Sequence, residues 1–188
     1  MRIDLPDRIG DAAVALRPMR PGDAAPYAAA FRADPDLGKL LGSEQDPDEE
    51  SVLARVENQG RRAEEGRGVV FAIADPATDA FWGSVTLHSF DWHSRRCEVG
   101  FWVVPAVRGR GVGSGAVALT LTWAFDTLDL LRVEMTTTPE NQGVPALAAR
   151  LGFTREGVLR ARNIERGQRV DIVWFGLLRE EWTGGPAA

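Results

Sequence analysis

Apolar residues alternate with polar ones along several short runs of this chain and recur at helical spacing along others, and the two periods divide it into elements. Residues 14–17 read as a short strand stopped by Pro18, and the Arg20-Pro21-Gly22-Asp23 turn offers Asp23 as cap to a helix running to about residue 32. A second helix begins near Asp46-Pro47: acids at Asp48, Glu49 and Glu50 suit its N-terminus, Val52, Leu53, Val56 and Ala63 form its apolar stripe, and Gly66 and Gly68 mark its end. Three β-rich runs follow without helices between them, 69–74, 81–90 and 97–104, which makes an antiparallel meander. Then Val117, Leu121, Ala124 and Leu128 recur at helical spacing, 131–137 reads as a strand, 144–151 as a short helix, and 153–159 and 170–177 as two more strands. The pattern predicts a mixed α+β fold of about seven strands and four helices.

Composition narrows this picture. At 188 residues, 44% hydrophobic and 26% charged, the chain suits one domain over residues 1–188, with an ordered core of about 12–182 and a Gly-Gly-Pro-Ala-Ala tail expected to fray. Its net charge of −5 argues against nucleic acid or an anionic membrane as a partner. The single Cys97 forbids an intramolecular disulfide, and one thiol with two histidines cannot build a Cys-rich zinc site, so no metal is expected. The charged first ten residues do not read as a secretory signal, no run approaches a membrane span, and a cytoplasmic setting is the expectation.

The chemistry concentrates between the run ending at Val104 and the helix starting near Val112, in Pro105-Ala106-Val107-Arg108-Gly109-Arg110-Gly111-Val112-Gly113-Ser114-Gly115. Glycines let backbone N–H groups converge, the helix adds unpaired donors and the positive end of its dipole, and Arg108 and Arg110 bring permanently charged forks. This is the grammar of a pyrophosphate cradle; a Gly-rich turn with solvated arginines is the plainer reading. A Walker loop is excluded because Lys39, the only lysine, lies elsewhere. Gly111 to Ala116 formally fits a Rossmann fingerprint with Glu134 as ribose contact, but Pro105 to Arg110 separates it from its strand and a meander precedes it.

The remaining grammar, Arg/Gln-x-x-Gly-x-Gly/Ala, is met by Arg108 to Gly113 and resembles the acyl-CoA loop of the GNAT N-acyltransferase superfamily. The surroundings are similar to its ribosomal-protein N-acetyltransferase (RimJ/RimL) branch over nearly the whole chain: Leu16-Arg17-Pro18 with Gly22-Asp23, Leu87-His88-Ser89-Phe90-Asp91, Glu98 to Val103, Trp123-Ala124-Phe125, Leu131-Arg132-Val133-Glu134, Asn141, Leu151-Gly152-Phe153 with Glu156-Gly157, Leu177-Leu178 and Glu181-Trp182. The resemblance implies a mostly antiparallel sheet splayed between its fourth and fifth strands, here 97–104 and 131–137, with the pantetheine arm in the gap. It further implies that Val103 and Val104 pair with pantetheine, that Arg108, Gly109, Arg110, Gly111, Val112, Gly113 and Ser114 hold the pyrophosphate, and that Asn141 contacts the pantetheine or thioester. Acetyl-CoA and an amine acceptor, a small molecule or a protein N-terminus, are the implied partners. A homodimer stays open, as do succinyl-CoA and a weakly catalytic acyl-CoA-sensing module.

The implied reaction is direct attack of an amine on a thioester, so the missing nucleophile pairs are no objection. Glu98 and Glu134, one on each splayed strand, are the candidate catalytic bases, with Glu98 favoured; for either, a cross-strand ion pair with Arg96 or Arg132 is the structural reading. His88, Asp91 and Trp92 are the candidate acceptor contacts, His88 equally a structural histidine. The family hydroxyl that protonates the leaving thiolate falls at Val144 or Ala148, so solvent, Ser114 or Thr138 is left for that role. Cys97 reads as a packing residue.

Overall fold

The structure is a computed structural model describing residues 1–41 and 44–185; the last residues of the expected tail, 186–188, lie outside the described residues. The chain runs β1 (Ile9–Gly10), β2 (Ala15–Pro18), α1 (Ala24–Ala33), α2 (Leu37–Leu40), α3 (Glu49–Glu64), β3 (Val69–Ala74), β4 (Phe81–Asp91), β5 (Arg96–Val103), α4 (Val112–Asp126), β6 (Arg132–Thr137), α5 (Gly143–Arg150), β7 (Thr154–Glu165) and β8 (Gln168–Leu178). All eight strands join one sheet in the order β1-β2-β3-β4-β5-β6-β8-β7.

Every neighbouring pair is antiparallel except β5 with β6, which run parallel. Their pairing covers only Arg96↔Arg132, Cys97↔Val133 and Glu98↔Glu134, after which β5 continues to Val103 and β6 to Thr137 without pairing with each other. The sheet therefore opens where expected, the fourth and fifth predicted strands being β5 and β6 once two-residue β1 is counted.

Strand alternation distributes the core over two faces. Cys97, Val99, Val133 and Met135 pack with Val117, Leu121 and Ala124 of α4 on one face. Ala72 and Trp102 meet Tyr27 and Phe31 of α1 and Val52 and Val56 of α3 on the other. Trp102 stands edge-on to Tyr27 at 4.8 Å and to Phe31 at 5.3 Å between ring centroids. The Cys97 thiol is fully buried, and burial pushes it far above the ordinary thiol range, which leaves it a packing residue.

Asp23 departs from its expected role. Its carboxylate does not cap α1 but accepts a forked pair from Arg17 at 2.7 and 2.9 Å and the backbone N–H of Arg20 at 2.8 Å. A buried guanidinium needs a carboxylate more than a helix end open to water needs a cap. Asp48 does cap α3, accepting from Ser51 N–H at 2.9 Å.

Two features that shape the site escaped the sequence pattern. Four-residue α2 is too short for helical periodicity to show. Strand β7 runs to Glu165 instead of about residue 159, because its outer half is exposed and bulged, with Ala161 at φ +51° and a register shift between Leu159 and Asn163. Its hairpin turns through Arg166 and Gly167, both at positive φ. Arg166 N–H donates to Glu44 at 3.0 Å and its guanidinium to Asp46 at 3.1 Å, pinning the hairpin tip to the segment after α2.

Candidate active site between the splayed strands

The divergence of β5 and β6 leaves backbone groups without strand partners. Val104 N–H donates to Trp82 O at 2.8 Å across to β4. By strand alternation the amides of Val99, Phe101 and Val103 then point the opposite way, toward β6; the Val99 N–H belongs to the last rung, at Glu98↔Glu134, and those of Phe101 and Val103 lie beyond it. Val103 accordingly faces the gap as expected, whereas Val104 spends its N–H inside the sheet and does not line the cavity. The cavity that fills the gap measures about 1160 Å³.

At its upper end sits the glycine loop. Gly111, at φ +80°, is the residue before α4 and adopts the left-handed conformation that starts the helix, while Ser114 Oγ donates back to Gly111 O at 2.9 Å. A Cβ at Gly113 would come within 3.1 Å of the Phe101 ring, so glycine there lets α4 lie directly on β5. The first-turn N–H groups of α4 have no intrahelical acceptors and open on the cavity, which Gly109, Gly111, Val112, Gly113 and Ser114 line.

The arginines of the loop behave differently from one another. Arg108 borders the cavity, but its guanidinium is engaged: Nε donates to Val103 O at 3.1 Å and Nη2 pairs with Asp34 at 2.5 Å. It thus ties the loop to the end of α1. Arg110 does not line the cavity. The cradle is formed mainly by backbone, with the arginines around it.

Across the gap, the buried Thr137 hydroxyl has no hydrogen-bond partner among the described residues, and neither has the buried Trp102 indole N–H; both residues line the cavity. Orphaned buried polar atoms beside unpaired strand backbone are what an amide-bearing arm would satisfy. Asn141 also lines the cavity, and its Oδ1 accepts from Gly143 and Val144 N–H at 3.0 and 3.3 Å, so it caps α5 as well. The residues present therefore fit a CoA-type ligand.

The two glutamates are side by side in register but do different things. Glu134, 6% exposed, accepts from Arg96 at 2.9 Å and Arg132 at 2.8 Å, and Arg132 in turn grips Glu156 at 2.7 and 2.5 Å. It does not line the cavity. Glu98 does, beside His88, its partner across β4 and β5. Burial holds His88 below the ordinary imidazole range; Glu98 opposes that and Arg62 adds to it. At neutral pH it is an uncharged ring next to a carboxylate.

Asp91 and Trp92 are not brought to this site. Ser89 at φ +54° and a register shift between His88 and Asp91 break the alternation after His88. Asp91 accepts from Ser94 N–H at 2.9 Å and Oγ at 2.8 Å, and these bonds hold its carboxyl below the usual range. Trp92 stacks on Phe90 at 4.6 Å and donates to Gly66 O at 2.9 Å. Residues the pattern did not single out complete the walls: Leu37, Leu40 and Leu41 from α2 and its end, and Asn163, Ile164 and Glu165 from the β7–β8 hairpin.

Gly111→Asp is expected to weaken CoA binding by about 100-fold or more, since a carboxylate a few ångströms from a pyrophosphate is repelled by kcal/mol even at an effective dielectric near 20. Calorimetric titration reads it.

Comparison with known proteins gives a consistent result. The family model described as acetyltransferase (GNAT) domain matches residues 14–154. An uncharacterized N-acetyltransferase of Bacillus licheniformis, p20, is 28% identical over 90% of this chain and 94% of its own length. The Bacillus subtilis protein named "Putative ribosomal N-acetyltransferase YdaF" is 33% identical over 102 residues, 54% of this chain and 56% of that protein, so the match spans little more than half of it. Among solved structures, Mycobacterium smegmatis RimJ in complex with CoA-disulfide superposes with a TM-score of 0.83 at 27% identity, covering 96% of this chain and 91% of that one.

Proposed function

This chain belongs to the GNAT acetyltransferase family and is an acyl-CoA-dependent acetyltransferase, and from that premise we propose that it moves the acetyl group of acetyl-CoA onto a primary amine held between β5 and β6. The acceptor is an α-amine of a protein N-terminus or an amine of a small molecule. The observation that carries this reading is the gap itself: unpaired β5 backbone, the glycine loop at one end and the Glu98–His88 pair within one cavity.

Acetyl-CoA supplies the activated acyl carbon and a thiolate leaving group. The residues of this chain position the reactants and manage one proton. The first-turn N–H groups of α4 hold anionic oxygens, and the amides of Phe101 and Val103 are placed to pair with an extended arm. Glu98 attracts the acceptor as an ammonium, then takes its proton directly or through water so that the lone pair is free to attack. A lysine-like amine at pKa ~10.4 needs this help far more than an α-amine near ~8. As the new C–N bond forms, the C–S bond breaks and the thiolate leaves; Val144 and Ala148 carry no hydroxyl, so it takes its proton from water or from Ser114 or Thr138 at the cavity wall.

Incubation with acetyl-CoA and a panel of amines and N-terminal peptides, following free thiol, tests the proposal. Acceptor-dependent thiol release is expected. CoA binding without release for any acceptor would instead favour an acyl-CoA-sensing module.

A further inference from the structure

A second pocket of about 590 Å³ lies between α3 and the sheet. Among the described residues its walls include four arginines, Arg55, Arg61, Arg62 and Arg67, and no carboxylate. In a chain of net charge −5 this is a concentrated patch of the opposite sign. Arg61 donates to Asn58 at 2.7 Å and Arg67 pairs with Glu65, but Arg55 and Arg62 make no ion pair among the described residues.

The Arg62 guanidinium lies over Gly68. Its Nη2 lies 2.9 Å from where a Cβ of Gly68 would be, so any side chain at 68 would displace it. Gly68 immediately precedes β3, and one step beyond the Val69↔Leu87 pair it falls opposite His88, which itself pairs with Glu98. Gly68, His88 and Glu98 thus form one row across three strands, with Ser84 and Thr86 on the same face of β4 flooring the pocket. The row spans two strand spacings, roughly 9–10 Å. Its two ends carry opposite charge: the Glu98 carboxylate in the large cavity and the Arg62 guanidinium in the small one.

We propose that this arginine pocket receives an anionic group, a carboxylate or phosphate, carried by the acceptor a short linker away from its amine. Glu98 takes the ammonium end and Arg62, with Arg55 lining the same pocket, takes the anionic end. The inference rests on Glu98 marking the amine position in the proposed acetyltransferase reading, and it makes the acceptor zwitterionic instead of simply cationic.

The test is calorimetric titration of the CoA-saturated protein with γ-aminobutyrate, aminopropyl phosphate and, as the uncharged-tail control, butylamine. Wild type is expected to bind at least one anionic amine about tenfold more tightly than butylamine, a difference typical of one charged hydrogen-bonded contact. Arg62→Gln abolishes that preference without changing butylamine affinity, and Arg62→Lys retains part of it. Which anionic amine is favoured distinguishes carboxylate from phosphate. Equal affinity for all three, or a preference that survives Arg62→Gln, overturns the proposal. Because the readout is binding, a preference lost in Arg62→Gln without acetyl transfer would refute the proposed reaction while leaving the anion pocket standing.

Discussion

Glu98→Gln is expected to lower kcat for acetyl transfer by about two to four orders of magnitude, the range typical of losing a positioned general base, while leaving acetyl-CoA affinity unchanged. Among the described residues the Glu98 carboxylate makes no hydrogen bond or ion pair, so its neutral isostere removes none and the backbone pairing of Glu98 with β4 and β6 is preserved. The deficit depends on the acceptor. At pH 7 a lysine-like amine is unprotonated in roughly one molecule in 2,500 and an α-amine in roughly one in ten, so the former suffers more. Raising the pH supplies free amine from solution and narrows the gap between variant and wild type. Glu134→Gln serves as the contrast. That carboxylate is committed to Arg96 and Arg132, so its loss is expected to lower thermal stability and leave the pH–rate profile in place. A pH profile of kcat/KM for both variants separates the two roles; an unchanged profile in Glu98→Gln would remove Glu98 from the chemistry.

Arg17→Met is expected to destabilise the fold by about 3–5 kcal/mol, because it leaves a buried carboxylate without its counter-charge. Arg17 and Asp23 are 3% and 4% exposed and share two hydrogen bonds, and Arg17 Nε also reaches Asp79 at 3.0 and 3.1 Å. The hydrogen bonding of Arg17 to Asp23, foremost among several causes, raises the Arg17 pKa despite burial. For a chain of this size the melting temperature falls by roughly 6–20 °C. Pairing the change with Asp23→Leu recovers much of the loss, since removing both charges leaves nothing unpaired. Differential scanning calorimetry of the single and double variants decides it; equal melting points for the two would show that the buried Asp23 charge is not the cause.

Much of the scaffold was legible because its elements are amphipathic. The meander and α4 announce themselves through alternation and helical spacing, and the Arg108 to Gly113 spacing located the loop. What stayed hidden is carried by exposure and irregularity. The outer half of β7 faces water and is bulged, so no alternation marks it, and α2 has one turn. At the site, His88 and Glu98 share a face by simple alternation, but the positive φ at Ser89 redirects Asp91 and Trp92, and a sequence pattern carries no dihedral angle. The contrast between Glu98 and Glu134 is likewise one of partners: both stand on the splayed strands, yet only Glu134 lies between two guanidiniums. Arg62 gave no signal, as its place depends on the missing side chain at Gly68, just before β3.

Site-resolved amide hydrogen exchange with and without acetyl-CoA reads out whether the gap between β5 and β6 seats that ligand. Slowed exchange is expected at Phe101 and Val103 and at the first turn of α4, with Val104 unchanged because its N–H is already bonded to Trp82. Protection confined to the α3 pocket, or none along β5 at saturating acetyl-CoA, would contradict it.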